Sequence, residues 1–388
     1  MRNATLATAL AGAIAIASLH NAQAVDIKAG DWTVSVGGIV NAYYTSVSCS
    51  GDAVGGLALG AQALGCGGQG NRTTIGNGLL PNGLVTSAST TNGDYDVKAL
   101  IGIYNSTATD SAIGQNSVVD VRQAYFTFGN ASMGTVKLGR DYGIFGANAI
   151  LSDMTLLGAG APVQATQRGR VALGHIGAGY SYLGNYGQMS YSTPKSASGM
   201  GFDVGVMSPV SDTPILSAPV YTSKSTPQVQ AQLSMTAEGF KGWIGAKAQK
   251  FTSATPGVGD LTMSAVEVGG SFTAGDLGLL ANVQGGKALG ILSDADQGDT
   301  KSKNYFVQGT YKTSPKLKLG VSYGLSKNDD NTAGTRGLES NANLTVGAYY
   351  SLNSLITLVG EVGQTRSKAF NGASARLNGV ALGGIIFF

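Results

Sequence analysis

The sequence is poor in charged residues, histidine and cysteine, and these shortages exclude several classes of protein. Only 12% of its 388 residues are charged, and the formal net charge is +3. No basic block or platform of basic and aromatic residues appears, which argues against nucleic acid as a partner. Phosphate-binding loops of the Walker type are also absent.

Long apolar runs are missing beyond the first 24 residues, although 43% of the chain is apolar. A membrane protein built of helices needs stretches of about 20 apolar residues, so this class is excluded. The 59 glycines argue against a soluble helical protein. Each glycine in a helix costs roughly 1 kcal/mol relative to alanine.

The N-terminus has the pattern of a secretory signal. Arg2 provides a positive start, residues 4–19 are largely apolar, and Ala22-Gln23-Ala24 is a small-x-small cleavage site. The apolar run is shorter than the roughly 20 residues of a spanning helix. We therefore predict a signal peptide over residues 1–24 and export into the periplasm. The mature chain would have 388 − 24 = 364 residues and a charge of +2, because Arg2 is removed.

The two cysteines, Cys49 and Cys66, lie in one stretch rich in glycine, serine and alanine. In an exported protein such a pair favours a disulfide. A disulfide that closes this loop would stabilise the folded protein by about 3 kcal/mol, because it lowers the conformational entropy of the denatured state. A metal site is the weaker interpretation, since no histidine lies near the two thiols.

What the sequence does contain is a repeated alternation of apolar residues with small or polar residues. This period of two predicts β-strands, and sixteen can be assigned. They lie at residues 31–45, 77–88, 94–104, 118–129, 134–142, 187–193, 201–207, 229–237, 241–252, 262–273, 277–287, 304–313, 316–327, 342–352, 355–366 and 378–388.

The polar faces of these strands carry few charges, whereas the exposed faces of a soluble β-sandwich are usually richly charged. Short turns, such as residues 130–133, 274–276 and 314–315, alternate with long loops. This layout is typical of outer-membrane barrels, whose long loops lie outside the cell. The last strand ends on Phe388 and would pair with the first, leaving no edge in lipid. We therefore predict one all-β domain over residues 25–388, a transmembrane antiparallel β-barrel of about sixteen strands.

Residues 121–143 read VRQAYFTFGNASMGTVKLGRDYG, and residues 189–206 read MSYSTPKSASGMGFDVGV. With both termini, these motifs resemble the trimeric general porins of Gram-negative outer membranes. The resemblance implies a homotrimer in outer-membrane lipid, with a third loop folded into the lumen. It also implies a water-filled channel for the passive diffusion of small hydrophilic solutes and ions, without a cofactor.

The resemblance further implies a constriction between a basic wall and the third loop. By position, Arg122, Arg168 and Arg170 would face residues 143–167, where Asp153 is the only carboxylate. Arg140 fits a pore position and a subunit contact equally. Alternation places five further charges in the lumen: Lys98, Lys318, Asp96, Glu267 and Glu361. The slight positive excess predicts a weak anion preference.

Two alternatives remain open, a structural or adhesive barrel that does not conduct and an outer-membrane barrel hydrolase. After signal removal His175 is the only histidine, and it has no carboxylate or evident serine nucleophile beside it in the sequence. A loop histidine therefore fits better than a general base. We predict that the protein is not an enzyme.

Overall fold

The structure is a computed structural model that describes residues 24–57, 63–66, 70–108, 112–113, 119–160, 172–211, 221–329 and 337–388. The predicted signal peptide lies outside the described residues except for Ala24, so it stays a prediction. Arg168 and Arg170, two of the expected constriction residues, also lie outside them.

Nineteen strands run through the described part of the chain. They are β1 (Val25–Ala29), β2 (Trp32–Gly51), β3 (Arg72–Gly76), β4 (Asn82–Asn92), β5 (Tyr95–Asn105), β6 (Asp120–Asn130), β7 (Gly134–Tyr142), β8 (Asn185–Ser192), β9 (Met200–Met207), β10 (Tyr221–Ser223), β11 (Gln228–Ala237), β12 (Phe240–Ser253), β13 (Leu261–Ala274), β14 (Leu277–Lys287), β15 (Lys301–Ser314), β16 (Leu317–Asn328), β17 (Leu338–Ser351), β18 (Ile356–Ala369) and β19 (Ser374–Phe387).

The strands form one antiparallel sheet that closes on itself. β19 pairs with β2 from Ala375 opposite Gly51 to Phe387 opposite Ile39, which seals the wall. β1, β3 and β10 are short strands beside the wall, and the other sixteen strands form the barrel. The predicted sixteen-stranded β-barrel is confirmed, although the three short strands were not among the predicted ones.

The outer face of the wall is apolar and the inner face is polar. On β13 the side chains of Val266 and Val268 are 58% and 55% exposed, whereas Glu267 between them is fully buried. A soluble protein would bury the valines instead, because burial of apolar surface drives folding in water. Exposed apolar residues around a closed wall match a barrel surrounded by lipid.

Short and long connections lie at opposite ends of the barrel. At one end, the turn end, the connections are residues 93–94, 131–133, 193–199, 238–239, 275–276, 315–316 and 352–355. The other end, the loop end, carries longer loops, among them residues 52–81, 143–184 and 288–300. In outer-membrane barrels the short turns are periplasmic and the long loops extracellular.

The loop between β7 and β8 carries a short helix, α1 (Ala147–Ser152), followed by a 3-10 turn (Met154–Leu157). All four side chains of the 3-10 turn are buried. The predicted third loop therefore packs inside the molecule. Among the described residues, no helix is long and apolar enough to cross a membrane.

Candidate functional site

Side chains on the inner face of the wall bind the backbone of the loop between β7 and β8. This inserted loop is described at residues 143–160 and 172–184. Gln230 Oε1 accepts hydrogen bonds from the backbone N–H groups of Ile144 (2.7 Å) and Phe145 (2.9 Å). Glu361 Oε2 accepts from those of Ala159 (2.7 Å) and Gly160 (2.8 Å). Further bonds of this kind join Gly146 to Glu267, Met154 to Gln308, Gly179 to Ser326 and Ser181 to Gln284.

These bonds explain why the wall from β11 to β18 carries glutamine and glutamate on its inner face. Backbone N–H groups away from water need acceptors, and the wall supplies them. The sequence analysis expected Glu267 and Glu361 to be lumen charges. Both lie on the inner face, but they are 0% and 4% exposed beneath the inserted loop. They hold the loop and are not open to water.

Asp153 differs from the sequence-based expectation. It was expected to face the basic wall, but its side chain has no exposed surface. Its carboxylate accepts hydrogen bonds from the Thr155 backbone N–H (2.8 Å), the Thr155 hydroxyl (2.7 Å) and the Tyr180 hydroxyl (2.6 Å). His175 Nδ1 lies 3.1 Å from the same carboxylate. Asp153 therefore ties the two described halves of the inserted loop together.

The protonation of Asp153 is set by these contacts. Burial alone would raise the pKa of this carboxyl group, but His175, Tyr180 and Thr155 together hold the pKa below its usual value of 3.8. Asp153 is therefore ionised at neutral pH and accepts hydrogen bonds from both halves of the loop.

His175 has a carboxylate partner that its sequence neighbourhood did not reveal. The ring is fully buried and lies 4.7 Å from the ring of Phe306 on β15, centroid to centroid. Its partner Asp153 is 22 positions earlier in the chain, so only the fold brings the two together. With no exposed surface, the imidazole is out of reach of a substrate in the lumen.

Arg122 faces the inside of the barrel because β6 contains a β-bulge. Gly102 pairs with Gln123, but Tyr104 pairs with Asp120, so two residues of β6 stand opposite one residue of β5. Simple alternation would place Arg122 on the same face as Phe126, which is 45% exposed on the outer surface. The extra residue turns the guanidinium inward.

The Arg122 guanidinium is held by a neighbouring carboxylate and an aromatic ring. Its Nε lies 2.7 Å from Asp120 Oδ2, and its Cζ lies 5.9 Å from the ring centroid of Tyr104. Tyr142 and Tyr182, at the two roots of the inserted loop, lie near it. Sequence analysis missed the Asp120 partner, although it lies only two positions away.

A second ion pair lies beside Arg122 on the same wall. Lys137 Nζ is 2.5 Å from Asp141 Oδ2, and Asp141 Oδ1 accepts a hydrogen bond from Gln123 Nε2 at 2.8 Å. The Tyr104 hydroxyl donates to Gln123 Oε1 at 2.5 Å, which links the two ion pairs. The inner wall of β5, β6 and β7 is thus one connected polar surface.

The remaining expected lumen cations lie on the inner face. Lys98 shares its face with the buried Leu100 and Tyr104, and Lys318 Nζ lies 5.3 Å from the ring centroid of Tyr349. Arg140 does not share this face. It pairs in register with Ala124 and is exposed on the outer surface, so its possible pore position is ruled out in the structure.

Two other loops pack against the inserted loop. Leu57 and Leu64 of the first loop, Ile176 of the inserted loop and Ile291 of the loop between β14 and β15 belong to one buried cluster. Cys49 and Cys66 form a disulfide across the first loop. Lys247 on β12 forms a buried ion pair with Asp294 of the loop between β14 and β15. The loops therefore narrow the loop end of the barrel from several sides.

No group of three histidine, cysteine or carboxylate residues in the described parts of the chain could hold a metal ion. The contacts described above define the candidate site as a polar lumen. The β5–β7 wall bounds it on one side and the inserted loop bounds it on the other.

A family model described as Gram-negative porin matches residues 7–369 of the chain. A search of curated proteins gives no match. Among solved structures, the outer membrane channel DcaP of Acinetobacter baumannii is similar, with a TM-score of 0.68 and 19% identity over 93% of this chain and 99% of that one.

Two further solved structures have the same fold. The anion-selective porin from Comamonas acidovorans gives a TM-score of 0.63 and 15% identity, covering 92% of this chain and 100% of that one. Salmonella typhi OmpF gives a TM-score of 0.60 and 16% identity over 92% of this chain and 100% of that one.

Proposed function

Since the chain belongs to the Gram-negative porin family, and is thereby an outer-membrane channel for passive diffusion, we propose that its channel favours small anions weakly. The conducting path runs along the β5–β7 wall, and Arg122 lines its constriction beside Tyr142 and Tyr182. Arg168 and Arg170 remain proposed constriction residues. Asp153 is not part of this proposal, because its carboxylate is buried inside the loop.

The observation that carries the proposal is the balance of accessible charge on the inner face. On the sixteen barrel strands, six cations of the inner face are at least partly exposed: Lys98, Arg122, Lys137, Lys241, Lys312 and Lys318. Three carboxylates of the same face are at least partly exposed: Asp96, Asp120 and Asp203. Asp141, Glu267 and Glu361 are buried. A narrow pore amplifies such an excess, because the effective dielectric is lower than in bulk water.

Planar-bilayer recordings test both parts of the proposal. We expect ohmic conductance steps and, in a gradient of KCl at neutral pH, a reversal potential of the sign that indicates anion preference. A protein that inserts but never conducts would contradict the channel, and cation preference in the wild-type protein would contradict the charge balance.

Arg122→Ala is the most direct variant. It removes one accessible cation and leaves Asp120 without its partner, so we expect the reversal potential to move toward cation preference. The matched control is Lys250→Ala, which removes an exposed cation from the outer face of β12. An unchanged reversal potential in Arg122→Ala would show that Arg122 does not line the constriction.

We propose no catalytic activity for this barrel. The hydrolase alternative depends on His175 as a general base, and the buried imidazole has no access to substrate. Lipase or protease turnover that is lost in a His175→Gln variant would reverse this interpretation.

We also propose that the protein is a homotrimer in which Arg140 lies at a subunit contact. Its side chain is exposed on the outer face, where contact with lipid would cost about 2–4 kcal/mol near the midplane. A partner subunit would remove that cost by covering the guanidinium. The outward direction of Arg140 supports this assignment.

A further inference from the structure

Strand β2 has a gap in its pairing on the side of β3 and β4. Its pairing with β4 extends up to Ile39, and its pairing with β3 begins at Tyr43. Residues 40–42 of β2 therefore stand opposite the longer segment 77–82, which joins β3 to β4. The longer segment cannot stay flat in the wall and must bulge out of it.

Residues 77–81, which we call the inner bulge, turn into the lumen. The Leu79 backbone N–H donates to the carbonyl oxygen of Gly158 in the inserted loop at 2.9 Å. Leu79 is buried and belongs to the same apolar cluster as Ile176. A Cβ on Gly78 would lie 2.0 Å from the Gly158 oxygen, so the two backbones are in direct contact. The inner bulge thus supports one end of the inserted loop.

Glu361 holds the same end of the inserted loop from the side of β18. Its carboxylate accepts from the backbone N–H groups of Ala159 and Gly160. Leu79 donates to the carbonyl oxygen of Gly158, the residue just before them. The loop end is therefore fixed by an acceptor on β18 and a donor on the inner bulge. A shift of the inner bulge would release one of these two attachments.

Asn41 holds the inner bulge in place. It stands in the middle of the gap and is 2% exposed. Its Oδ1 accepts from the Gly78 N–H at 2.9 Å, and its Nδ2 donates to the Leu80 carbonyl oxygen at 3.0 Å. An asparagine side chain offers an acceptor and a donor, as a peptide group does. Asn41 therefore replaces the bonds that a neighbouring strand would make here.

The backbone of Asn41 is bonded by side chains from the same region. Its N–H donates to Asn82 Oδ1 at 2.8 Å, and its carbonyl oxygen accepts from the Thr107 hydroxyl at 3.1 Å. Asn82 Nδ2 donates in turn to Thr107 Oγ1 at 2.7 Å. Backbone groups away from water need such partners. These bonds close the gap around Asn41.

We propose that Asn41 is a positioning residue of the channel, which sets the width of the constriction without contacting the solute. The inference rests on the constriction proposed above, between the inserted loop and the β5–β7 wall. Asn41 keeps the inner bulge inside the barrel, and the bulge keeps the inserted loop at its place. Without the bonds of Asn41 the bulge moves back toward the wall, and the passage beside the loop widens.

The test is the variant Asn41→Ala in liposome-swelling assays with sugars of increasing size, from a pentose to a trisaccharide. We expect the size limit to shift to larger sugars. We also expect the reversal potential in a KCl gradient to move toward zero, because mobile ions screen the wall charges more fully in a wider passage. A purely structural role would lower the melting temperature and leave both readouts unchanged.

Asn343→Ala is the matched control. Asn343 is also buried, and its side chain bonds to Thr345, Gln364 and Thr365 in the wall strands β17 and β18. This change should lower the melting temperature without a shift of the size limit. An equal shift in both variants would overturn the proposal. So would the wild-type size limit in assembled Asn41→Ala channels.

Gly78→Ala tests the same link from the side of the bulge. Its new Cβ would displace the loop end, so we expect the size limit to shift in the same direction while Asn41 stays. Because both changes act through one contact, their combination should shift the limit no further than the larger single change. An additive shift would overturn the proposal. The wild-type limit in Gly78→Ala would do so even where Asn41→Ala fails to assemble.

The charge and the width of the constriction are tested separately. Arg122→Ala removes a charge, and its reversal potential tests the proposed function. If that potential stays unchanged while Asn41→Ala shifts the size limit, only the role of Arg122 fails. If the potential moves and the size limit of Asn41→Ala does not, only the positioning role of Asn41 fails.

Discussion

Arg122 illustrates what alternation alone can and cannot give at the scale of a single residue. The energetic argument against an arginine in lipid places it in the lumen, and the structure places it on the inner face. Period two by itself would have put it on the lipid face beside Phe126, because no sequence pattern marks the bulge. Its Asp120 partner was missed for the same reason, since the bulge is what puts both side chains inside.

The ionised state of Asp153 predicts how acid affects the inserted loop. Because its folded-state pKa is lowered, the stabilisation it gives is fully present above about pH 3.8 and is lost as the pH falls through that lower pKa. We expect Asp153→Asn to destabilise the loop by about 3 kcal/mol at neutral pH. In the Asp153→Asn variant the current noise of open channels at pH 7 should be high. It should match that of the wild-type protein in strong acid, where Asp153 is protonated.

Asp260→Asn provides a control, because Asp260 pairs with Lys224 at the exposed loop end. Its current noise should match that of the wild type at pH 7. Quiet channels in Asp153→Asn at neutral pH would show that the carboxylate does not hold the loop.

Gly324 is a residue where the wall must stay without a side chain. A Cβ atom there would lie 1.8 Å from the backbone oxygen of Ala178 in the inserted loop. We expect Gly324→Ala to destabilise the protein by about 1–3 kcal/mol through overpacking and to lower its melting temperature. Gly309→Ala is the control, because its Cβ would meet nothing closer than 3.8 Å. Equal melting temperatures for Gly324→Ala and Gly309→Ala would show that the inserted loop does not pack against β16 at Gly324.

At the scale of elements, the loop between β14 and β15 depends on one buried ion pair. Lys247→Met would leave the carboxylate of Asp294 buried without its cation, which costs about 3–5 kcal/mol. We expect this loop to become sensitive to limited proteolysis. Lys287→Met is the control, because Lys287 pairs with Asp299 of the same loop at an exposed site. Adding Asp294→Leu to Lys247→Met should restore part of the protection.

The strands could be predicted from the sequence because lipid imposes a regular pattern on them. Alternation gave the sixteen wall strands, with shifts such as residues 77–88 against the observed β4 at Asn82–Asn92. The interior could not be predicted in the same way. Glu267 and Glu361 look like pore charges in the sequence, and only the path of the inserted loop shows that they bind backbone N–H groups.

At the scale of the whole molecule, the proposed trimer makes a prediction for Arg140. We expect Arg140→Leu to weaken assembly, because a guanidinium covered by a partner makes contacts that leucine cannot. Light scattering should then show fewer trimers, and conductance steps should no longer occur in threes. Lys250→Leu, on the outer face of β12, should leave assembly unchanged. More stable trimers in Arg140→Leu would instead place this residue in lipid.

The seam between β19 and β2 has a consequence for the order of folding. It joins Ile385 to Asn41 and Leu377 to Cys49, so its partners are more than 300 positions apart in the chain. Every other pairing among the sixteen barrel strands joins strands that follow each other in the barrel order, with only β3 or β10 between them in two cases. Contacts between distant segments form late, because the entropy of closing the intervening chain opposes them. The barrel must therefore pass through an open sheet in which the edges of β2 and β19 are both unpaired until the seam forms.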